Sequence, residues 1–201
     1  MAGGEQAVST FTDTRDGKVY RIVKIGGKTW FAENLNFAAE GSRCYGEGGK
    51  VETTQNLKTL SNTEVQANCD KYGRLYNWET ALKVCPAGFH LPTRDEWKTL
   101  ADYAGGDSTA GKKLKSVDGW DKNGNGTNEY GFSALPSGVG FRDDSFANDG
   151  YYGYWWSATE FDAYYAIIKY MSYKVEYVNW SFYVKTLLFS VRCVADKEGE
   201  Q

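Results

Sequence analysis

"CPAGFHLPTRDEWKTLADYAGG" (Cys85 to Gly106) is the stretch whose reading decides the fold class. Thr93 is a good N-cap, and Glu96 stands three residues on, the spacing of a capping box. Trp97, Leu100, Ala101 and Ala104 then recur at i, i+3, i+4 and i+7, and Gly105-Gly106 ends the helix they imply. Upstream, Pro86 disfavours helix at the residue before it, so the short helix predicted over Trp78 to Val84 stops there. Further out the signals change period. "GKVYRIVKIGGKTWFAENL" (Gly17 to Leu35) alternates on both sides of Gly26-Gly27 and predicts a β-hairpin. Residues 40–62 read as a long loop. Residues 105–150 are loop-rich, with "NGNG" and "LPSGVG" as turn clusters, and strand-like segments run from Trp155 to Val194. Two short helices among antiparallel strands and long loops make an α+β domain.

The chain has 201 residues and a formal net charge of −3, enough for one domain with a real core. That charge offers no basic patch for phosphate backbones, so nucleic acid is not an expected partner. No apolar run approaches the ~20 residues of a membrane helix. The opening "MAGGEQ" has no apolar core of a signal peptide and reads as a tail. Cys44, Cys69, Cys85 and Cys193 are widely spaced and contain no CxxC pair. An even, scattered set suits two disulfides in an oxidising compartment better than a zinc site.

Enzyme signatures are sparse. His90 is the single histidine, which excludes a zinc triad or a two-histidine acid–base pair, and its place just before a helix N-cap assigns it to packing or capping. There is no Walker loop, no GxSxG and no GxGxxG between strand and helix. "DKNGNGTNE" places Asp121, Asn123 and Asn125 like the first half of a calcium loop, but Phe132 stands where the bidentate glutamate belongs. An Asn/Gly turn is the better reading. No metal or cofactor is expected.

The last quarter differs from the rest. "GYYGYWW" (Gly150 to Trp156) has three tyrosines and two tryptophans, and aromatics continue to Phe189. Between Tyr164 and Tyr173, apolar groups occupy both faces of the strand: Tyr164, Ile168 and Tyr170 on one, Tyr165, Ile167, Met171 and Tyr173 on the other. A domain of this size is expected to hide one such face and to expose the other. Exposed tyrosine gives large, rigid, amphipathic contact area, so this stretch is expected to bind a ligand.

Four ordered motifs, "YGRLYNWETAL", "CPAGFHLPTRDEW", "NEYGFSALPSG" and "WWSATE…FSVRCV", resemble the Fibrobacter succinogenes major paralogous domain from about Asp16 to Asp196. "LPTRDEW" and "SVRCV" are also similar to the formylglycine-generating sulfatase-modifying domain. That relation implies a C-type-lectin-like fold without its activity, since no matching active-site cysteine pair stands here. The stretch from Gly150 to Val194 resembles the variable region of diversity-generating retroelement target proteins. The resemblance implies diversified ligand-binding positions at Tyr151, Tyr152, Tyr154, Phe161, Asp162, Tyr164, Tyr165, Ile168, Tyr170, Tyr177, Asn179, Phe182, Tyr183 and Leu187. Trp155, Trp156, Ser157, Thr159, Glu160 and Lys185 read as framework, and Leu188 departs from the glycine expected before "FSVRC".

The expectation is therefore a tail over 1–15, a ligand-binding domain over 16–196 with a variable region at about 148–188, and a tail over 197–201. Its function would be that of a non-enzymatic receptor or adhesin domain, with a carbohydrate-binding module as the alternative. Partners would be a protein or glycan on another cell or phage host. The setting would be extracellular or cell-surface: a pilus tip, a lipoprotein or a phage fibre. Cysteine pairing is expected as Cys44–Cys69 and Cys85–Cys193, the second tying the helical half to the last strand. Trp97, Trp155 and Trp156 are the expected core anchors.

Overall fold

A computed structural model describes residues 9–53 and 56–196. The tail at 197–201 and most of that at 1–15 lie outside them. The strands, numbered along the chain, form three sheets. The first orders β1 (Ser9–Thr12), β2 (Val19–Ile25), β3 (Lys28–Phe31), β15 (Val194–Ala195) and β8 (Phe89–His90), all antiparallel. The β2–β3 hairpin turns through Gly26 and Gly27 at φ 61° and 81°, where a side chain would be strained. β1 lies inside the segment expected to be tail. Its Phe11 packs on Phe31 and Phe89, and that burial draws the chain into the sheet from Ser9.

The second sheet orders β6 (Leu57–Lys58), β5 (Lys50–Glu52), β10 (Ser145–Asp149) and β9 (Ser137–Gly140). The third orders β13 (Asn179–Val184), β12 (Tyr165–Ser172), β11 (Tyr152–Glu160), β14 (Phe189–Ser190), β7 (Arg74–Tyr76) and β4 (Arg43–Cys44). Pairing is antiparallel except at β5–β10 and β11–β14, which are parallel.

Among the described residues four helices accompany the sheets, not two. α2 (Trp78–Val84) and α3 (Arg94–Tyr103) stand where their caps and stripes predict them. Thr93 and Glu96 close the expected capping box on α3. α1 (Asn62–Tyr72) and α4 (Asp107–Leu114) are the additions. α1 opens on a second capping box, Ser61 with Glu64, but its outer face is so polar that no apolar stripe marks it. α4 begins at Gly106 with no side-chain cap.

Helices lie on both faces of the six-stranded sheet, and this arrangement sets the core. On one face Trp78, Ala81 and Val84 of α2 pack with Trp156, Ile168 and Phe189. On the other, Trp97 and Leu100 of α3 and Leu114 of α4 pack with Trp155 and Met171. A polar knot crosses between the sheets. The Trp155 indole N–H and Arg192 Nε both donate to Asn34 Oδ1, at 2.9 and 2.7 Å. The fully buried Arg192 also donates to the carbonyls of Phe31, Phe132 and Ser133. A buried guanidinium needs such a full set of acceptors, because an unbonded charge there is strongly destabilising.

Both disulfides pair as expected. Cys44–Cys69 joins β4 to α1, and Cys85–Cys193 ties the end of α2 to the chain just before β15, across 108 residues. No described cysteine is free. Two such bonds suit an oxidising, extracellular type of environment.

Candidate binding surface

The tyrosine-rich stretch folds as a meander, β11 to β12 to β13, at one margin of the six-stranded sheet. Its register fixes which side chains share a face. Tyr152 opposes Ser172, Tyr154 opposes Tyr170, and Trp156 opposes Ile168. Across the next pairing Tyr170 opposes Asn179, Ile168 opposes Ser181, and Ala166 opposes Tyr183. Tyr152, Tyr154, Tyr170 and Tyr183 therefore stand together on the α2 side. Tyr152 and Tyr154 stack at 5.5 Å, and Tyr154 lies 6.1 Å from Tyr170 and 6.3 Å from Tyr183. Phe189 floors this group, 5.1 Å from Tyr154 and 5.5 Å from Tyr183. Partial burial, with the neighbouring phenols adding to it, pushes the Tyr183 hydroxyl up from its ordinary pKa. Burial does the same at Tyr154. The Tyr154 and Tyr183 hydroxyls thus stay neutral, able to donate and accept.

A second group sits at the β11–β12 turn and on the opposite face. Phe161 stacks on Phe182 at 4.2 Å, and Tyr165 meets Phe182 edge-on at 5.8 Å. Asp162 shapes this turn, its Oδ1 accepting from the N–H groups of Tyr164 and Tyr165 at 2.8 and 2.9 Å. Tyr164 projects furthest, at 76 % exposure. At the other end of the meander Tyr151 meets Tyr173 edge-on at 5.1 Å, with the Lys122 ammonium over both rings.

Burial divides the fourteen sequence-expected positions. Phe161, Asp162, Tyr164, Tyr177, Phe182 and Tyr183 are exposed, while Tyr151, Tyr152, Tyr165, Tyr170 and Asn179 are half-buried. Tyr154, Ile168 and Leu187 are buried, so the expectation that they contact a ligand is corrected for this state of the molecule. The expectation that one face of the 164–173 strand must be exposed fails for the same reason. β12 lies between β11 and β13, and the helices on either side cover its middle, leaving Ala166, Ile167, Ile168 and Met171 at 0–4 % exposure. Of the residues read as framework, Trp155, Trp156 and Ser157 are buried. Lys185 pairs with Glu160, donates to the carbonyl of Ala163 and covers the Trp78 ring.

Trp180 was missing from the sequence-derived set, although it is 46 % exposed with the Arg94 guanidinium 4.7 Å from its ring. The signal was there in "NWSFYV", where Trp180 falls on the same side as Phe182.

The other sequence candidates lie elsewhere. His90 bonds Asp196 Oδ1 through Nδ1 at 2.6 Å and both Glu96 oxygens through Nε2 at 3.0 Å, so it braces the capping glutamate of α3. Burial raises the Glu96 carboxyl. The bonds it accepts from the Thr93 N–H, Lys28 and His90 outweigh that and hold it at about 2. In the "NGNG" turn, Asn125 spends its Oδ1 on the Trp120 N–H and its carbonyl on Lys112 Nζ. Among the described residues no group of three or more His, Cys, Asp or Glu could hold a metal ion. No described helix is long and apolar enough to cross a membrane.

Compared with family models, residues 23–195 match the Fibrobacter succinogenes major domain. The chain belongs to this family. The match takes in all of the six-stranded sheet, the meander included, and begins within β2. Neither curated proteins nor solved structures gave a match.

Proposed function

We propose that this chain is a non-enzymatic ligand-binding domain, of the receptor or adhesin kind, that works outside the cell. The observation that carries this reading is the division of labour within the meander. Trp155 and Trp156 are fully buried and hydrogen-bonded, while their neighbours in the same strands and turns display tyrosine and phenylalanine. Aromatic display of this kind suits recognition, because a rigid ring loses little rotamer freedom on contact. Its motifs resemble a C-type-lectin-like fold and the variable region of a diversity-generating retroelement target. On that reading the displayed residues differ between copies of the gene while the tryptophans persist. The absence of a free thiol among the described residues, and a histidine engaged by two carboxylates, favour binding over catalysis.

A partner protein on another cell or phage host is the leading occupant. Sugar rings stacked on the tyrosines are the second reading, which the half-buried rings of Tyr152 and Tyr170 and the exposed ring of Tyr183 favour. The test uses the triple variant Tyr152→Ala, Tyr170→Ala and Tyr183→Ala beside Tyr164→Ala, each with its melting temperature recorded. Probes are a glycan array and a panel of intact cells. Variants that stay folded and lose the wild-type signal support the reading, and the array or the cells say which occupant applies. Undiminished binding by all the folded variants overturns it.

A further inference from the structure

Every sheet has two margins, and most margins here are guarded. β4 carries Arg43, paired with Asp144 at 2.7 Å, and β6 is two residues long with Lys58 in it. β8 is two residues containing His90, β9 is buried throughout, and β1 turns Phe11 into the core. Short length, charge and cover are the usual means by which an edge strand avoids pairing with another chain. β13 has none of them. It is six residues long, reads "NWSFYV" without a charge or a proline, and ends the six-stranded sheet.

The register shows which of its backbone groups are unused. The Lys185 N–H donates to the carbonyl of Tyr164, so that pair is a hydrogen-bonded one, and bonding alternates along an antiparallel ladder. Tyr183, Ser181 and Asn179 therefore bond to β12, and the backbone groups of Val184, Phe182 and Trp180 point outward. The β11–β12 ladder agrees. There the Tyr173 N–H donates to the carbonyl of Tyr151, which leaves Tyr170, Ile168 and Ala166 to face β13.

We infer that a second copy of this chain pairs with β13, antiparallel and about a two-fold axis at Phe182. The strand suits itself. Phe182 meets its own image, Trp180 opposes Val184 of the second copy, and Ser181 opposes Tyr183. Aromatic and β-branched neighbours are favourable cross-strand pairs, and no like charges are set opposite each other. A two-fold axis makes the contact self-complementary and closed, so it ends at a dimer. Phe161, stacked on Phe182, and Trp180 gain cover from the partner. Tyr152, Tyr170 and Tyr183 stay open on the other face, and the two copies of that face adjoin. The inference stands apart from the ligand-binding proposal, because it is read by mass and not by ligand.

Sedimentation of the full chain over a wide range of concentrations tests it. The wild type should pass from monomer to dimer. Phe182→Lys, which sets two ammonium groups together at the axis, should stay monomeric with its circular dichroism unchanged. Under mild oxidation Phe182→Cys should link to itself, since facing residues of a bonded pair stand about 5.5 Å apart at Cα, within disulfide reach. Trp180→Cys should link far less, because its neighbour is Val184. A wild type that remains monomeric throughout overturns the inference. So does a dimer in which Phe182→Cys fails to link, or links no better than Trp180→Cys. Should Phe182→Lys fail to fold, the two cysteine variants decide.

Discussion

Trp155 and Trp156 are neighbours in the chain, yet their indoles enter opposite halves of the core. The Trp155 N–H donates to Asn34 Oδ1 at 2.9 Å on the α3 side, and the Trp156 N–H donates to the carbonyl of Tyr76 at 2.7 Å on the α2 side. Together they pin the first strand of the meander through both faces. Truncating either to alanine should remove about 3–5 kcal/mol of stability, the usual cost of a large buried aromatic. Urea unfolding of the two variants checks this, and a loss below about 1 kcal/mol in both would refute the anchoring role.

Displayed and buried positions of the same stretch should respond differently. Tyr164→Ser and Phe161→Ser should stay within about 0.5 kcal/mol of wild type, as exposed substitutions do. Ile168→Ala, at 0 % exposure, should lose about 2–5 kcal/mol. Melting curves of the three proteins side by side decide it, and equal losses at all three would mean that exposure does not set tolerance here.

The two disulfides should contribute unequally. In the chain-entropy picture a bond across 108 residues is worth about 5 kcal/mol and one across 25 about 3.5 kcal/mol. The Cys85→Ser/Cys193→Ser protein should therefore unfold at lower denaturant than the Cys44→Ser/Cys69→Ser protein. The reverse order would show that native contacts, not loop length, set the difference.

Lys115 should give the domain an alkaline signature. It is 2 % exposed, and its ammonium donates to the carbonyls of Ser172 and Val175 at 3.1 Å each, joining the end of α4 to the turn after β12. Burial, helped by the nearby Lys112, lowers its pKa to about 8 from the ordinary 10.5. Between these two values the unfolded chain holds a proton that the folded chain has released, so this group's contribution to stability rises with pH across that window. Subtracting the Lys115→Met profile from the wild-type one should isolate that rise. A flat difference from pH 8 to 10.5 would refute it.

Much of this could be read from the chain. The caps and stripe of α3, the proline that ends α2, the Gly26-Gly27 hairpin and both cysteine pairs were legible, because each rests on a local or pairwise signal. α1 was hidden by its polarity, although "SNTE" (Ser61 to Glu64) carried a capping box that apolar periodicity overlooked. The burial of Ile168 and Tyr154 was not legible. Period-two alternation tells which residues share a face, but not whether the strand is central or what covers it. Only the placement of α2 on one side and of α3 and α4 on the other decides that.

The order of strands in the large sheet makes its outer margin a separable unit. β11, β12 and β13 are consecutive in the chain and consecutive in the sheet, whereas β14 returns beside β11, and β7 and β4 come from a distant part of the sequence. One continuous stretch of the chain therefore makes up the whole outer margin. Replacing that piece would exchange the margin wholesale, and the residues that join it to the rest, Trp155 against Ser190 above all, lie at its inner seam.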